Sequence, residues 1–168
     1  VAGRKQNDFS LGGKLTISLK GNTSLSYDGA VIISEPDYFL EHYNSNYYSW
    51  EQDLDKSQSW KNTLSYKMQK YHFELNMFHS WHMGYHYINE DRLPVTYSQP
   101  FHYAALELSK DFKLGHFGFH LSGIYQYSTS DSCIHIPELA SLSSVYYQDW
   151  LFDNNLLFRI GADIRYHT

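Results

Sequence analysis

The sequence predicts an all-β protein, an up-and-down antiparallel β-barrel that crosses a membrane with about eight strands in this chain. Three observations predict it. Apolar and polar side chains alternate with a period of two over most of the chain, and a strand turns that period into two chemically distinct faces. Aromatic residues make up 18% of the sequence, with 16 Tyr, 10 Phe and 4 Trp, a composition suited to β-structure and to membrane interfaces. Short turns alternate with longer connections, as in barrels whose two rims differ.

The first strand runs from about Phe9 to Leu19, with Phe9, Leu11, Leu15, Ile17 and Leu19 on one parity and Asp8, Ser10, Lys14, Thr16 and Ser18 on the other. A Gly21-Asn22 turn leads to a second, with Leu25, Tyr27, Val31 and Ile33 on the apolar face and Ile32 on the polar one. Parity then persists from Tyr47 to Met68, which predicts a single third strand. Tyr48, Trp50, Leu54, Trp60, Leu64 and Tyr66 face one way, and Glu51, Asp53, Asp55, Lys61 and Lys67 the other. Gln52, Lys56, Gln58 and Asn62 are polar exceptions on the apolar side, and the middle two also fit a turn near Asp55 to Gln58.

Following Gln69-Lys70, a fourth strand extends from Tyr71 to Tyr87. Phe73, Leu75, Met77, Trp81, Met83 and Tyr85 lie opposite His72, Glu74, Asn76, Ser80, His82 and His86. The fifth covers about Phe101 to Phe112 and carries Glu107 on its polar parity. A tight connection at Lys113 to Gly115 leads to the sixth, with Phe117, Phe119, Leu121, Tyr125 and Tyr127 opposite His120, Ser122 and Gln126. A seventh strand from about Leu142 to Phe152 has large residues at both parities, as a bulge permits. Asp153-Asn154-Asn155 supplies a turn into the eighth, whose Leu156, Phe158, Ile160, Ile164 and Tyr166 lie opposite Arg159, Asp163 and Arg165. The longer connections fall at about 35 to 46, 88 to 100 and 129 to 141.

Alternation alone also fits a soluble ligand-binding barrel. Two features favour lipid on the apolar side. That side is bulky at nearly every position, whereas the interior of a small barrel needs small residues among large ones. Its rings also gather near strand ends, as girdles do at the two lipid interfaces. Tyr48, Trp50, Trp81, Tyr85 and Tyr125 lie toward the long connections, and Tyr66, Phe73, Phe112, Phe119 and Phe158 toward the short turns. The polar parity then lines a hydrated lumen, with Glu51, Asp53, Asp55, Lys61, Lys67, Glu74, His82, His86, Glu107, His120, Arg159, Asp163 and Arg165 as candidate lining groups.

No catalytic, cofactor or metal set emerges. His82 and His86 stand two same-face steps apart, about 13 Å, and His79 faces the other way, so one ion cannot be chelated by them alone. The sole thiol, Cys133, excludes an intrachain disulfide and lies in a connection without an evident base. A formal charge of −5 and a pI of about 6.0 argue against a nucleic acid partner. Val1 to Lys5 does not resemble a signal-peptide start, so an exported protein has lost its leader or carries it outside these residues.

Several motifs carry a family likeness: Asn44-Ser45-Asn46-Tyr47-Tyr48-Ser49-Trp50, Ile136-Pro137-Glu138-Leu139, Ser144-Val145-Tyr146-Tyr147-Gln148 with Trp150-Leu151-Phe152, and the stretch from Leu156 to Tyr166. In these the chain resembles the putative porin family of Gram-negative outer-membrane β-barrels. The resemblance implies a non-enzymatic pore for small hydrophilic solutes, set in membrane lipid in the outer membrane, and a single barrel segment over 1–168 that is incomplete at one or both ends. It carries over no binding residue. A non-conducting barrel serving as an anchor, an adhesin or an envelope-complex subunit is the alternative, with a soluble ligand-binding barrel behind it. Conductance, a co-purifying partner and solubility without detergent discriminate among the three.

Overall fold

In a computed structural model, described for residues 8–130 and 134–168, the chain forms an antiparallel meander. Its strands are β1 (Phe9–Leu19), β2 (Thr23–Ser34), β3 (His42–Asn44), β4 (Ser49–Glu51), β5 (Ser57–Met68), β6 (Phe73–Met83), β7 (Tyr85–Ile88), β8 (Pro94–Tyr97), β9 (Phe101–Leu114), β10 (Phe117–Ser128), β11 (Leu139–Leu151) and β12 (Leu156–His167). One short helix, α1 (Tyr38–Glu41), precedes β3. Eight strands build the main sheet in the order β1-β2-β5-β6-β9-β10-β11-β12, while β3-β4 and β7-β8 are separate hairpins. The sheet is open, and β1 and β12 are each paired on one side only.

All short connections lie at one end. Gly21 and Asn22 take left-handed φ values of 78° and 56° between β1 and β2, as a tight hairpin requires. A single 3-10 turn, Gln69–Tyr71, joins β5 to β6, and Gly115-His116 joins β9 to β10. Residues 152–155 close β11 onto β12, with three successive positive φ values at Phe152, Asp153 and Asn154. At the opposite end lie the segment 35–56 with α1 and the β3-β4 hairpin, the β7-β8 hairpin, and the link from Ser128 to Leu139.

Three expectations are corrected. The stretch from Tyr47 to Met68 is two strands, not one. The Gln52 amide donates to the Glu41 carbonyl at 2.8 Å and the Leu54 amide to Glu41 Oε1 at 3.2 Å, so local bonds replace the ladder between β4 and β5. The stretch from Tyr71 to Tyr87 also divides, at Gly84. That residue adopts φ +68°, and a Cβ there would stand 2.9 Å from the Lys56 carbonyl oxygen, so only glycine suits the bend. Third, β11 carries no bulge: its ladders run without a skipped residue from Phe117↔Tyr147 to Tyr125↔Leu139 and from Ala140↔His167 to Leu151↔Leu156. Cys133 lies outside the described residues.

The sheet has no packed apolar core. Partners in register share a face, and one face carries the row Ile17, Leu25, Tyr66, Leu75 and Leu108, followed two residues along by Leu15, Tyr27, Leu64, Met77, Leu106 and Tyr125. Leu15 is 62% exposed, Leu121 43% and Ile160 61%. The buried residues of the sheet, Ser80, Phe101, Ala105 and Gly118, all stand on the other, polar face.

Candidate functional site

The polar face is the candidate site, because it gathers most of the ionisable groups of the sheet and is partly covered. Across its middle, Lys67 Nζ lies 2.8 Å from Glu74 Oε1, and Asn76 donates to Glu74 at 3.1 Å and to Glu107 at 3.2 Å. Register dictates this chain: Lys67↔Glu74 and Asn76↔Glu107 are direct cross-strand pairs. Further along, His120 Nδ1 and Asp111 Oδ1 are 2.5 Å apart across β9 and β10, and Tyr103 donates to Gln126 at 2.9 Å. Lys61 stands between Ala30 and Ser80, Asp163 opposite Ser144 and Arg165 opposite Leu142. Arg159 lies over the Tyr146 ring, 3.6 Å from its centroid.

At the end bearing the long connections, the β7-β8 hairpin folds over this face. Phe101 is on the polar parity of β9 yet only 1% exposed. The His82 ring stacks on it at 5.1 Å, and Tyr85 and Tyr97 meet it edge-on at 5.5 and 6.0 Å. Such an aromatic cluster holds an otherwise marginal two-stranded ribbon in place. His86, on β7 outside the main sheet, accepts or donates a bond with Thr96 at 3.0 Å. Its Nε2 is buried without a well-formed partner. Burial pushes its pKa down, while the Asp55 backbone and the Glu41 and Asp55 carboxylates pull the other way.

The structure gathers Lys67, Glu74 and Glu107 into one network and sets Lys61, His82, His120, Arg159, Asp163 and Arg165 on the same face. Glu51, at the end of β4, and Asp53 and Asp55, in the connection that follows, lie outside the main sheet, so the parity that grouped them with Lys61 does not place them there. Tyr48, Trp50 and Tyr85 likewise stand off the sheet. Tyr48 hydrogen-bonds Arg92, and Trp50 stacks on Tyr43 at 4.5 Å and donates to the Phe39 carbonyl at 3.1 Å. The remaining rings, Tyr66, Phe73, Trp81, Phe112, Phe119, Tyr125 and Phe158, do occupy the apolar face.

Sequence reasoning passed over Phe101, Tyr146 and Lys110. Phe101 had no visible signal, since one ring at a strand start reads as an edge. Lys110 lies on the apolar face among Tyr71, Phe73 and Phe112, 5.3 to 5.8 Å from their centroids, and donates to the Tyr71 carbonyl at 3.2 Å. His79 and His102 form a second polar spot on that face, 3.3 Å apart. Among the described residues no group of three or more His, Cys, Asp and Glu side chains is placed to hold a metal ion.

No curated protein and no solved structure matches this chain. An open eight-stranded meander with a bare apolar face and a charged, partly covered polar face is the arrangement against which the family comparison stands. The family model described as "Putative porin" matches residues 1–168, the whole of the chain, and the protein belongs to that family.

Proposed function

We propose that this chain forms part of the wall of an outer-membrane β-barrel pore in a Gram-negative bacterium, giving small hydrophilic solutes passive passage. The observation that carries the reading is the inverted burial of the sheet. On the middle strands β6 and β9, Met77 at 46% and Leu106 at 42% stay exposed on the apolar face, while Ser80 and Ala105 on the charged face are only 8% and 6% exposed. A sheet in water hides its apolar parity; a sheet in hydrocarbon presents it.

Strand length agrees. The main-sheet strands run from 11 residues in β1 to 14 in β9. About 9 to 11 tilted residues suffice to cross a bilayer. Hydrocarbon offers no partner to the free backbone groups of β1 and β12, so closure through further strands follows from the same reading. The polar face then becomes the lumen lining, with Lys61, Lys67, Glu74, His82, Glu107, His120, Arg159, Asp163 and Arg165 in contact with the aqueous path. Membrane lipid is the partner of the apolar face, and no catalytic group is required.

Planar bilayers test this. Full-length protein is expected to insert and give stepwise conductance that rises with salt. Protein that inserts, as judged by protection of its strands from protease, yet never conducts removes the pore and leaves the barrel. The cover formed by β7-β8 is the specific observation that favours that second reading, a non-conducting barrel acting as an anchor or envelope subunit.

A further inference from the structure

Tyr146 on β11 is flanked in register by Gly118 of β10 and Gly161 of β12. A Cβ at Gly118 would overlap the Tyr146 ring, and one at Gly161 would come within 2.9 Å of the Tyr146 Cβ. The ring therefore lies down along the sheet over the Gly118 position, instead of standing up from it. Its outer side is taken by the Arg159 guanidinium, 3.6 Å from the ring centroid. With one side against the sheet and the other under a guanidinium, the ring has no free surface on which a sugar could stack. What the pair does present is the edge of the guanidinium.

A guanidinium stacked on a ring is fixed in plane, and its N–H donors fork outward in the geometry that a carboxylate or phosphate accepts in bidentate fashion. Two charged pairs of this face are already engaged: Lys67 with Glu74 at 2.8 Å, and Asp111 with His120 at 2.5 Å. Arg159, among the described residues, pairs with no carboxylate. Asp163, four residues along the same strand and on the same face, makes no ion pair with it. Together with His120, Ser144, Tyr146, Gly161 and Asp163 it lines a shallow recess of about 400 Å³. The stack pre-pays the ordering of a long side chain, which is the chief cost of using a surface arginine as a receptor.

We propose that the Arg159 guanidinium, seated on Tyr146 between two glycines, is a subsite for the oxyanion group of a small solute. The inference rests on the pore reading for the route by which the solute arrives, though not for the binding itself.

Calorimetric titration of detergent-solubilised full-length protein tests it, with sodium succinate as the carboxylate probe and inorganic phosphate as the second. Saturable binding of at least one probe is expected, weakened about tenfold or more in R159Q. R159K keeps the charge without the fork and is expected to fall near R159Q. K14Q, which removes a like charge from the same face at the far strand β1, is expected to bind as the parent does. The better probe identifies the oxyanion. Binding of neither probe by the parent, equal binding by R159Q, or an equal loss in K14Q would overturn the subsite. Conductance measured on the same preparations reports on the pore separately, so an unconducting protein that still binds through Arg159 sinks only the earlier proposal.

Discussion

Gly84 shows how one residue decides whether a strand continues. Its φ of +68°, with the Lys56 carbonyl oxygen only 2.9 Å from the place a Cβ would take, leaves no room for a side chain, and the chain turns there into β7. Gly84→Ala is expected to cost about 1 to 2 kcal/mol locally, read as faster proteolysis within 85–97 while the main sheet stays protected. His86 supplies a second test. Its pKa is lowered in the folded state because burial opposes the charged ring, with Thr96, the Asp55 backbone and the Glu41 and Asp55 carboxylates around it. The unfolded hairpin therefore binds the proton more readily. The stability this gives is complete above the ordinary imidazole value of about 6.5 and is lost as pH falls toward the lowered one. Protease resistance of 85–97 should decline between about pH 7.5 and about pH 5, and His86→Gln should flatten that dependence; an unchanged slope in the variant removes His86 from the effect. None of this was legible in the sequence. Parity put His86 in line with His82, and parity carries no record of where a strand changes partner.

At the scale of elements, what the sequence disclosed depends on whether a break preserves phase. β1, β2, β9, β10 and β12 stand close to their expected bounds, because each is flanked by turn residues that end the alternation. The segment from Gln52 to Lys56 joins β4 to β5 without shifting the odd–even count, so periodicity ran straight through it. The polar exceptions Gln52 and Lys56 marked the break, and the weight given to unbroken parity hid it. On β11, Tyr146 and Tyr147 at successive positions imitated a bulge, when Gly118 and Gly161 beside Tyr146 accommodate its ring on the polar face. Recognising this required the register, which a single sequence does not hold. The two faces of β5 give a direct prediction. Leu64→Arg is expected to reduce the stability of the protein folded in phospholipid vesicles by about 2 to 4 kcal/mol, and Ser65→Arg by less than about 1. The opposite order would mean that Leu64 faces water.

For the whole molecule, the proposed pore turns on which face would meet lipid. Trp60 and Trp150 are almost equally exposed, at 54% and 53%, but Trp60 pairs with Trp81 on the apolar face and Trp150 with Leu157 on the polar one. In vesicles whose acyl chains carry bromine, variants retaining only Trp60 or only Trp81 should be quenched strongly. A variant retaining only Trp150 should be quenched weakly, and equal quenching would contradict the assignment of faces. The all-β class and the eight-strand meander were visible in the sequence because alternation and turn chemistry act locally. The cover over the polar face was not, since it depends on contacts between segments far apart along the chain. Finally, every tight turn that joins two strands of the main sheet lies at one end, and the long segments lie at the other. Lengthening Gly115-His116 or residues 152–155 would have to undo a hairpin whose register is tied to that of the adjoining strands. Lengthening 35–56 or 85–100 would leave every ladder of the main sheet in place. Novelty can therefore accumulate by insertion at a single end, while the opposite end stays bound to nearly constant length.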